Sequence, residues 1–173
     1  QDLGAANLIK RSFPDMKINA STQLTANTVE DVNFLHKNGF DKVILSRELS
    51  IEEIRKIREN TEAEIECFVH GALCVSFSGQ CIMSSILGGR SGNRGCCAQT
   101  CRLPYELYRD YEKVADGYLM SPKDVETLEI LPQLIEAGIN SFKIEGRMKN
   151  PEYVAGVTAI YRKYIDMYFE DPD

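Results

Sequence analysis

KVILSRELSIEEIRKIRENTEAEIECFVH, residues 42–70, decides the fold. It opens on a short apolar run, Lys42 to Leu45, of the kind a buried strand uses. It closes on a second strand, Glu64 to His70. Between them Ser50 stands as a helix N-cap with Glu53 three residues on, a capping box that opens a helix through about Arg58. Strand, helix and strand joined by short loops form a crossover unit, which places the two strands parallel and the helix on one face.

The same alternation continues outward from this unit. Upstream, Asn27 to Lys37 reads as a helix, with Thr28 as N-cap, Asp31 three residues on, and Gly39 as its stop. Before it lie a short strand at Met16–Asn19 and a helical run from Ala5 to Arg11 that stops near Pro14. Residues 1–4 read as the end of a strand. Downstream, a cysteine-rich insert over 71–105 is followed by a strand or hairpin arm at Tyr105–Arg109 and a strand at Gly117–Met120. Ser121, Pro122 and Asp124 then open a helix to about Ala137, ended by Gly138. A strand at Ser141–Glu145 precedes the last helix, from Asn150 and Pro151 to about Phe169. That helix carries an apolar stripe of Tyr153, Val154, Val157, Ile160, Tyr161, Tyr164, Ile165 and Tyr168.

Such alternation means a parallel sheet covered by helices, either doubly wound or closed as a β/α barrel. No Gly-x-Gly-x-x-Gly follows the first strand, so the dinucleotide-binding version lacks its fingerprint. The expected fold is α/β, a TIM-like barrel present in part, with about five to six strand–helix units against the eight of a full barrel. If the last helix is the eighth, the units not in this chain amount to roughly 70–90 residues. In either closure ligands sit at the carboxyl ends of the strands. His70 with the cysteine insert, and Glu145 with Arg147, fall there, while Lys143 alternates with Phe142 and Ile144.

Twenty Lys and Arg against 26 Asp and Glu give the chain a net charge of −6, which argues against a generally basic nucleic-acid coat. The stretch from Gly71 to Tyr105 runs the other way: it holds Arg90, Arg94 and Arg102 and no acidic residue. A local basic mouth is therefore available. No apolar run is long enough to span a membrane, and the first residues lack a secretory pattern, so a cytoplasmic location without a membrane partner is expected. In that setting six cysteines read as thiols, metal ligands or redox groups rather than structural disulfides.

Five of the six lie in the insert, as Cys74-x6-Cys81-x15-Cys97-x3-Cys101 with Cys96 beside Cys97. Four thiolates on an irregular glycine-rich loop suit a tetrahedral zinc or an iron–sulfur cluster, and the spacing alone leaves both open. Cys97-x3-Cys101 fits a zinc knuckle; Cys74-x6-Cys81 is wide for one. Cys67, between Glu66 and Phe68 on a strand, reads as a core cysteine, and Cys96 as a spare. Of the two histidines, His36 sits mid-helix, which leaves His70 as the one partner for a catalytic thiol.

Two segments, Glu66-Cys67-Phe68-Val69-His70-Gly71-Ala72-Leu73-Cys74 and Gly79-Gln80-Cys81-Ile82-Met83-Ser84, carry a resemblance to the peptidase U32, or collagenase-like protease, family. Residues 92–102, 118–124 and 141–149 extend it over essentially the whole chain. The resemblance implies a β/α-barrel domain and two competing activities. One is the collagen-degrading peptidase of the family name. The other is hydroxylation of tRNA or rRNA bases, or of ubiquinone, by members with a four-cysteine iron–sulfur cluster. It singles out Cys74, Cys81, Cys97 and Cys101 as the ligands, of a 4Fe–4S cluster in preference to zinc. A thiolate held by iron is not a free nucleophile, which counts against hydrolysis.

The expectation is thus an RNA-hydroxylating enzyme whose four cysteines hold the cluster. Arg90, Arg94 and Arg102 would bind substrate phosphate or carboxylate, and Lys143, Glu145, Arg147 and His70 would serve catalysis or positioning. The alternatives are a peptidase acting on a peptide substrate, and a module that keeps its cluster for binding or assembly.

Overall fold

The computed structural model describes residues 1–146 and 149–170. Four parallel strands stand side by side in sequence order: β1 (Asn19–Ala20), β2 (Lys42–Ile44), β3 (Glu64–Gly71) and β7 (Ser141–Glu145). Helix α1 (Leu3–Ser12) precedes β1, α2 (Val29–Lys37) joins β1 to β2, and α3 (Ile51–Glu59) joins β2 to β3. Between β3 and β7 lie α4 (Met83–Gly88), a hairpin of β4 (Tyr105–Arg109) and β5 (Glu112–Gly117), the short strand β6 (Val125–Glu126) and α5 (Leu131–Glu136). Helix α6 (Pro151–Glu170) ends the chain. The fold is mixed α/β, and the sheet does not close into a barrel among the described residues.

The local signals account for the helices. Thr28 with Asp31, and Ser50 with Glu53, each form the reciprocal capping box. The start of the chain differs from the strand end expected there: the Asp2 carboxylate accepts from Ala5 N at 2.8 Å and caps α1. The apolar residues of α2 and α3 then meet the sheet. Val32, Leu35, Ile54 and Ile57 pack with Val43, Ile65 and Cys67 in one core. Burial pushes the Cys67 thiol pKa up to about 12, as befits a core cysteine. A second core gathers Val69, Leu131, Leu134 and Tyr161 under α5 and α6.

Two expected elements fall elsewhere. The helix over 121–137 is replaced by β6, a 3₁₀ turn at Leu128–Ile130 and the shorter α5. β6 pairs antiparallel with the end of β3, His70 opposite Glu126, so a tertiary partner captures backbone that the Ser-Pro-x-Asp signal assigned to a helix start. The strand placed at Gly117–Met120 lies earlier, as β5, because Asp110 and Tyr111 take positive φ (48° and 68°) and close a two-residue hairpin turn. Of the stripe on α6, Tyr161 is buried and Val157 and Ile165 pack on the second core, while Val154, Ile160 and Tyr164 face outward.

Asp41 ties three elements together at the amino ends of the strands. Its carboxylate accepts from Ile18 N at 2.8 Å and from Lys10 Nζ at 3.0 Å. The backbone donor first, and the lysine after it, hold its pKa below the ordinary carboxylate range. A lowered folded value contributes stability above the ordinary carboxylate pKa and loses it as pH falls through the folded one. Asp41→Asn is therefore expected to cost about 1 kcal/mol near pH 7 and progressively less as the pH falls below the ordinary carboxylate range, measured by urea unfolding at a series of pH values.

Candidate metal centre and substrate mouth

The site forms where the strands end. β3 alternates strictly, with Ile65, Cys67 and Val69 buried under the helices and Glu66 and Phe68 on the other face. Its pairing with β7 slips by one residue between Phe68 and His70, a β-bulge. Beyond the bulge the chain turns at Gly71 (φ +108°), where an added Cβ would lie 2.1 Å from the Glu145 carbonyl oxygen. Only glycine lets β3 and β7 approach so closely and release the cysteine segment above the sheet.

That segment folds over a cavity of about 160 Å³ lined by Cys74, Cys81, Cys97 and Cys101, with Phe68, Arg47, Arg102 and Glu145. All six cysteines are free thiols. Cys67 and Cys96 stay out of the lining: Cys67 is in the core, and Cys96 is exposed with its Sγ toward the Arg94 carbonyl at 3.5 Å. Two sulfurs already take donors, Cys97 Sγ from Gln99 N at 3.4 Å and Cys101 Sγ from Arg102 Nη1 at 3.2 Å. Both sulfurs therefore accept from ordered donors, one of them a guanidinium. Four sulfurs in one lining are the donor types that a tetrahedral zinc or an iron–sulfur cluster would require. Among the described residues no three His, Cys, Asp or Glu side chains stand close enough together to grip an ion, so the four line a common space without forming a finished coordination sphere.

The first half of the segment is pinned to the sheet by one buried serine. Ser78 is fully buried; its Oγ donates to the Glu48 carboxylate at 3.1 Å and accepts from Arg47 N and Nε, each at 3.2 Å. Its backbone N donates to Glu48 at 3.0 Å, and its carbonyl accepts from Thr25 Oγ1 at 3.1 Å. At Gly79 (φ +74°) a Cβ would sit 2.5 Å from Gln23 Cα, so the loop presses directly on the backbone after β1. The second half leans on Ser84, whose Oγ accepts from Ala98 N at 2.8 Å, and on Arg102, whose Nη2 donates to the Leu73 carbonyl at 2.6 Å. Ser78→Ala removes a satisfied buried hub and is expected to cost about 1–3 kcal/mol. Denaturant unfolding with proteolysis at residues 72–82 would read it; an unchanged midpoint and cleavage pattern would refute the pinning role.

The expected site residues divide accordingly. Arg102 and Glu145 line the cavity. Lys143 stands beside it, 3.3 Å from Glu66 and 5.3 Å over the Phe68 ring. Arg90 and Arg94 are exposed and outside the lining, with Arg90 Nε bonded to the Cys96 carbonyl at 3.0 Å. His70 also lies outside the lining; its Nε2 meets Tyr153 Oη at 2.9 Å and its ring packs against Tyr161. Arg147 lies outside the described residues. Sequence reasoning missed Arg47, Glu48 and Ser78. The available signal was the Arg47-Glu48 pair directly after a strand, at the ligand end of the sheet.

The chain is 42% identical over 172 residues to the "tRNA hydroxylation protein P1" of Bacillus subtilis, covering 95% of this chain and 41% of that protein. It is 46% identical over 173 residues to the "23S rRNA 5-hydroxycytidine C2501 synthase" of Escherichia coli, covering 99% of this chain and 26% of that protein. It is 36% identical over 169 residues to a "Collagenase" of Porphyromonas gingivalis, covering 88% and 40%. The chain thus spans about two fifths or less of the length of these relatives. No solved structure matches it. The pattern that defines "Peptidase family U32" matches residues 1–173, and the chain belongs to that family.

Proposed function

We propose that this chain is the cluster-bearing part of an enzyme that hydroxylates a base of transfer or ribosomal RNA, with Cys74, Cys81, Cys97 and Cys101 as ligands of a 4Fe–4S cluster. The observation that carries the proposal is the gathering of these four thiols, drawn from 28 residues of chain, around one cavity that excludes Cys67 and Cys96. Two relatives named for tRNA and rRNA hydroxylation support the substrate class. Four parallel strands in sequence order, with helices between them, support a place within a β/α barrel.

When bound, the cluster supplies one-electron chemistry. The chain's own residues do the rest. Arg102, fixed between Cys101 and the Leu73 carbonyl, keeps positive charge beside the thiolates. Arg47, held through Nε by Ser78, turns a guanidinium toward the cavity for an anionic group of the substrate. Glu145 in the lining suits the exocyclic amine of a base, which carboxylates accept. Phe68 offers an apolar wall, with Lys143 over its ring.

The test uses the full-length protein purified without oxygen. Iron and sulfide in stoichiometric amounts are expected, and deletion of the gene should remove one hydroxylated nucleoside from total RNA, restored by the wild-type gene. Stoichiometric zinc, or no metal, overturns the cluster assignment. Unchanged RNA nucleosides, with gelatin cleavage that Cys74→Ala abolishes, would favour the activity named in the Porphyromonas relative.

A further inference from the structure

Cys74 has two sides. One faces the cysteine cavity; the other borders an open groove of about 280 Å³ lined by Arg47, Glu48, Leu73, Val75 and Phe77. The groove holds an exposed aromatic ring beside an anchored, hydrogen-bonded turn. Phe77 is 64% exposed, yet its neighbour Ser78 is fully buried and its own carbonyl accepts from Gln80 N at 3.1 Å. Other large apolar side chains are comparably exposed, Phe13 and Phe34 among them; what sets Phe77 apart is its place beside Arg47 at the edge of the cysteine cavity. The acid in this groove, Glu48, is taken by the Ser78 amide and hydroxyl, and residues 71–105 contribute no other. Arg47 is shared by groove and cavity.

We propose that this groove is a subsite for one unpaired nucleotide flanking the modified base, its base stacked on Phe77 and its phosphate met by Arg47. The inference rests on the RNA reading above. An enzyme that works on a base takes it out of the stack, so the neighbouring nucleotide needs an anchor near the reaction cavity. Aromatic faces and arginines are what single-stranded RNA uses for this. The volume is close to the lower end of ligand pockets, about 300 Å³, and suits one base rather than an extended peptide.

The experiment measures binding of a short single-stranded RNA oligonucleotide to the full-length protein by fluorescence anisotropy across a salt series. Phe77→Ala is expected to weaken binding roughly 5- to 150-fold, and Phe77→Tyr, which keeps a stacking ring, by no more than about twofold. Phe77→Ala should leave the salt slope unchanged, whereas Arg47→Gln should reduce it by about one. Iron content and the unfolding midpoint serve as controls, with Phe77→Leu as a second exposed-site variant expected to bind like Phe77→Ala. Wild-type affinity in Phe77→Ala and Phe77→Leu overturns the subsite and leaves the RNA reading standing. Absence of RNA binding by the wild type overturns both. Loss of binding to a gelatin peptide, with RNA binding intact, overturns the subsite in favour of a peptide occupant.

Discussion

Cys81→Ser, purified without oxygen from the full-length protein, is expected to retain less than about a tenth of the wild-type iron and to lose RNA hydroxylation. Cys74→Ser, Cys97→Ser and Cys101→Ser should behave alike, because each removes one of four sulfurs that share a cavity. The informative contrast lies within the same stretch of chain. Cys96 is adjacent to Cys97 in sequence but exposed and outside the lining, so Cys96→Ser should keep its iron and its activity. Cys67→Ser should also keep its iron, while losing about 1–3 kcal/mol of stability because a hydroxyl replaces a buried thiol in an apolar core. Equal iron loss in Cys96→Ser and Cys81→Ser would sink the ligand assignment. Circular dichroism separates loss of metal from loss of fold.

Gly71→Ala should be the most damaging small substitution in the sheet. Its new methyl group would sit 2.1 Å from the Glu145 carbonyl oxygen and 2.9 Å from the carbonyl carbon, both backbone atoms that cannot turn aside. The φ of +108° adds strain for any L side chain. The expected cost is about 3 kcal/mol or more, a fall in Tm of roughly 6–12 °C for a domain of this size. Gly156→Ala on α6 is the control. Nothing lies within 4 Å of its added Cβ, and helix propensity predicts a gain of up to about 1 kcal/mol. Thermal unfolding of both variants decides the matter: a Gly71→Ala midpoint within a degree or two of wild type would show that β3 and β7 can part at little cost.

Capping chemistry was readable because it is local. The partners in Thr28–Asp31 and Ser50–Glu53 are three residues apart, so sequence contains the whole interaction. The four parallel strands followed from the same alternation of short strands and capped helices. Errors arose where a distant segment decided the outcome. Val125 and Glu126 became strand because the end of β3 offered hydrogen bonds, and the Asp110–Tyr111 turn lacks the Asn-Gly or Asp-Gly that marks such hairpins. The site shows the same division. The four cysteines announce themselves by residue type and spacing. Their support does not: Ser78 is an ordinary serine in sequence and acquires its role from Glu48, 30 residues away. The surroundings of His70 were hidden for a related reason. It follows a strand and precedes a cysteine, but past the bulge in β3 it packs against α6.

The Ser78 anchorage makes the two halves of the cysteine segment unequal. Cys74 and Cys81 flank a loop whose shape is set when the sheet forms, through Glu48, Arg47 and Thr25. Their conformational entropy is surrendered as the sheet folds. Cys97 and Cys101 belong to a segment joined to the rest by fewer ties, those of Ser84 and Arg102 chief among them. On the cluster assignment proposed above, loading would begin at Cys74 and Cys81 and finish at Cys97 and Cys101. That second pair would then be the part through which the metal is first released.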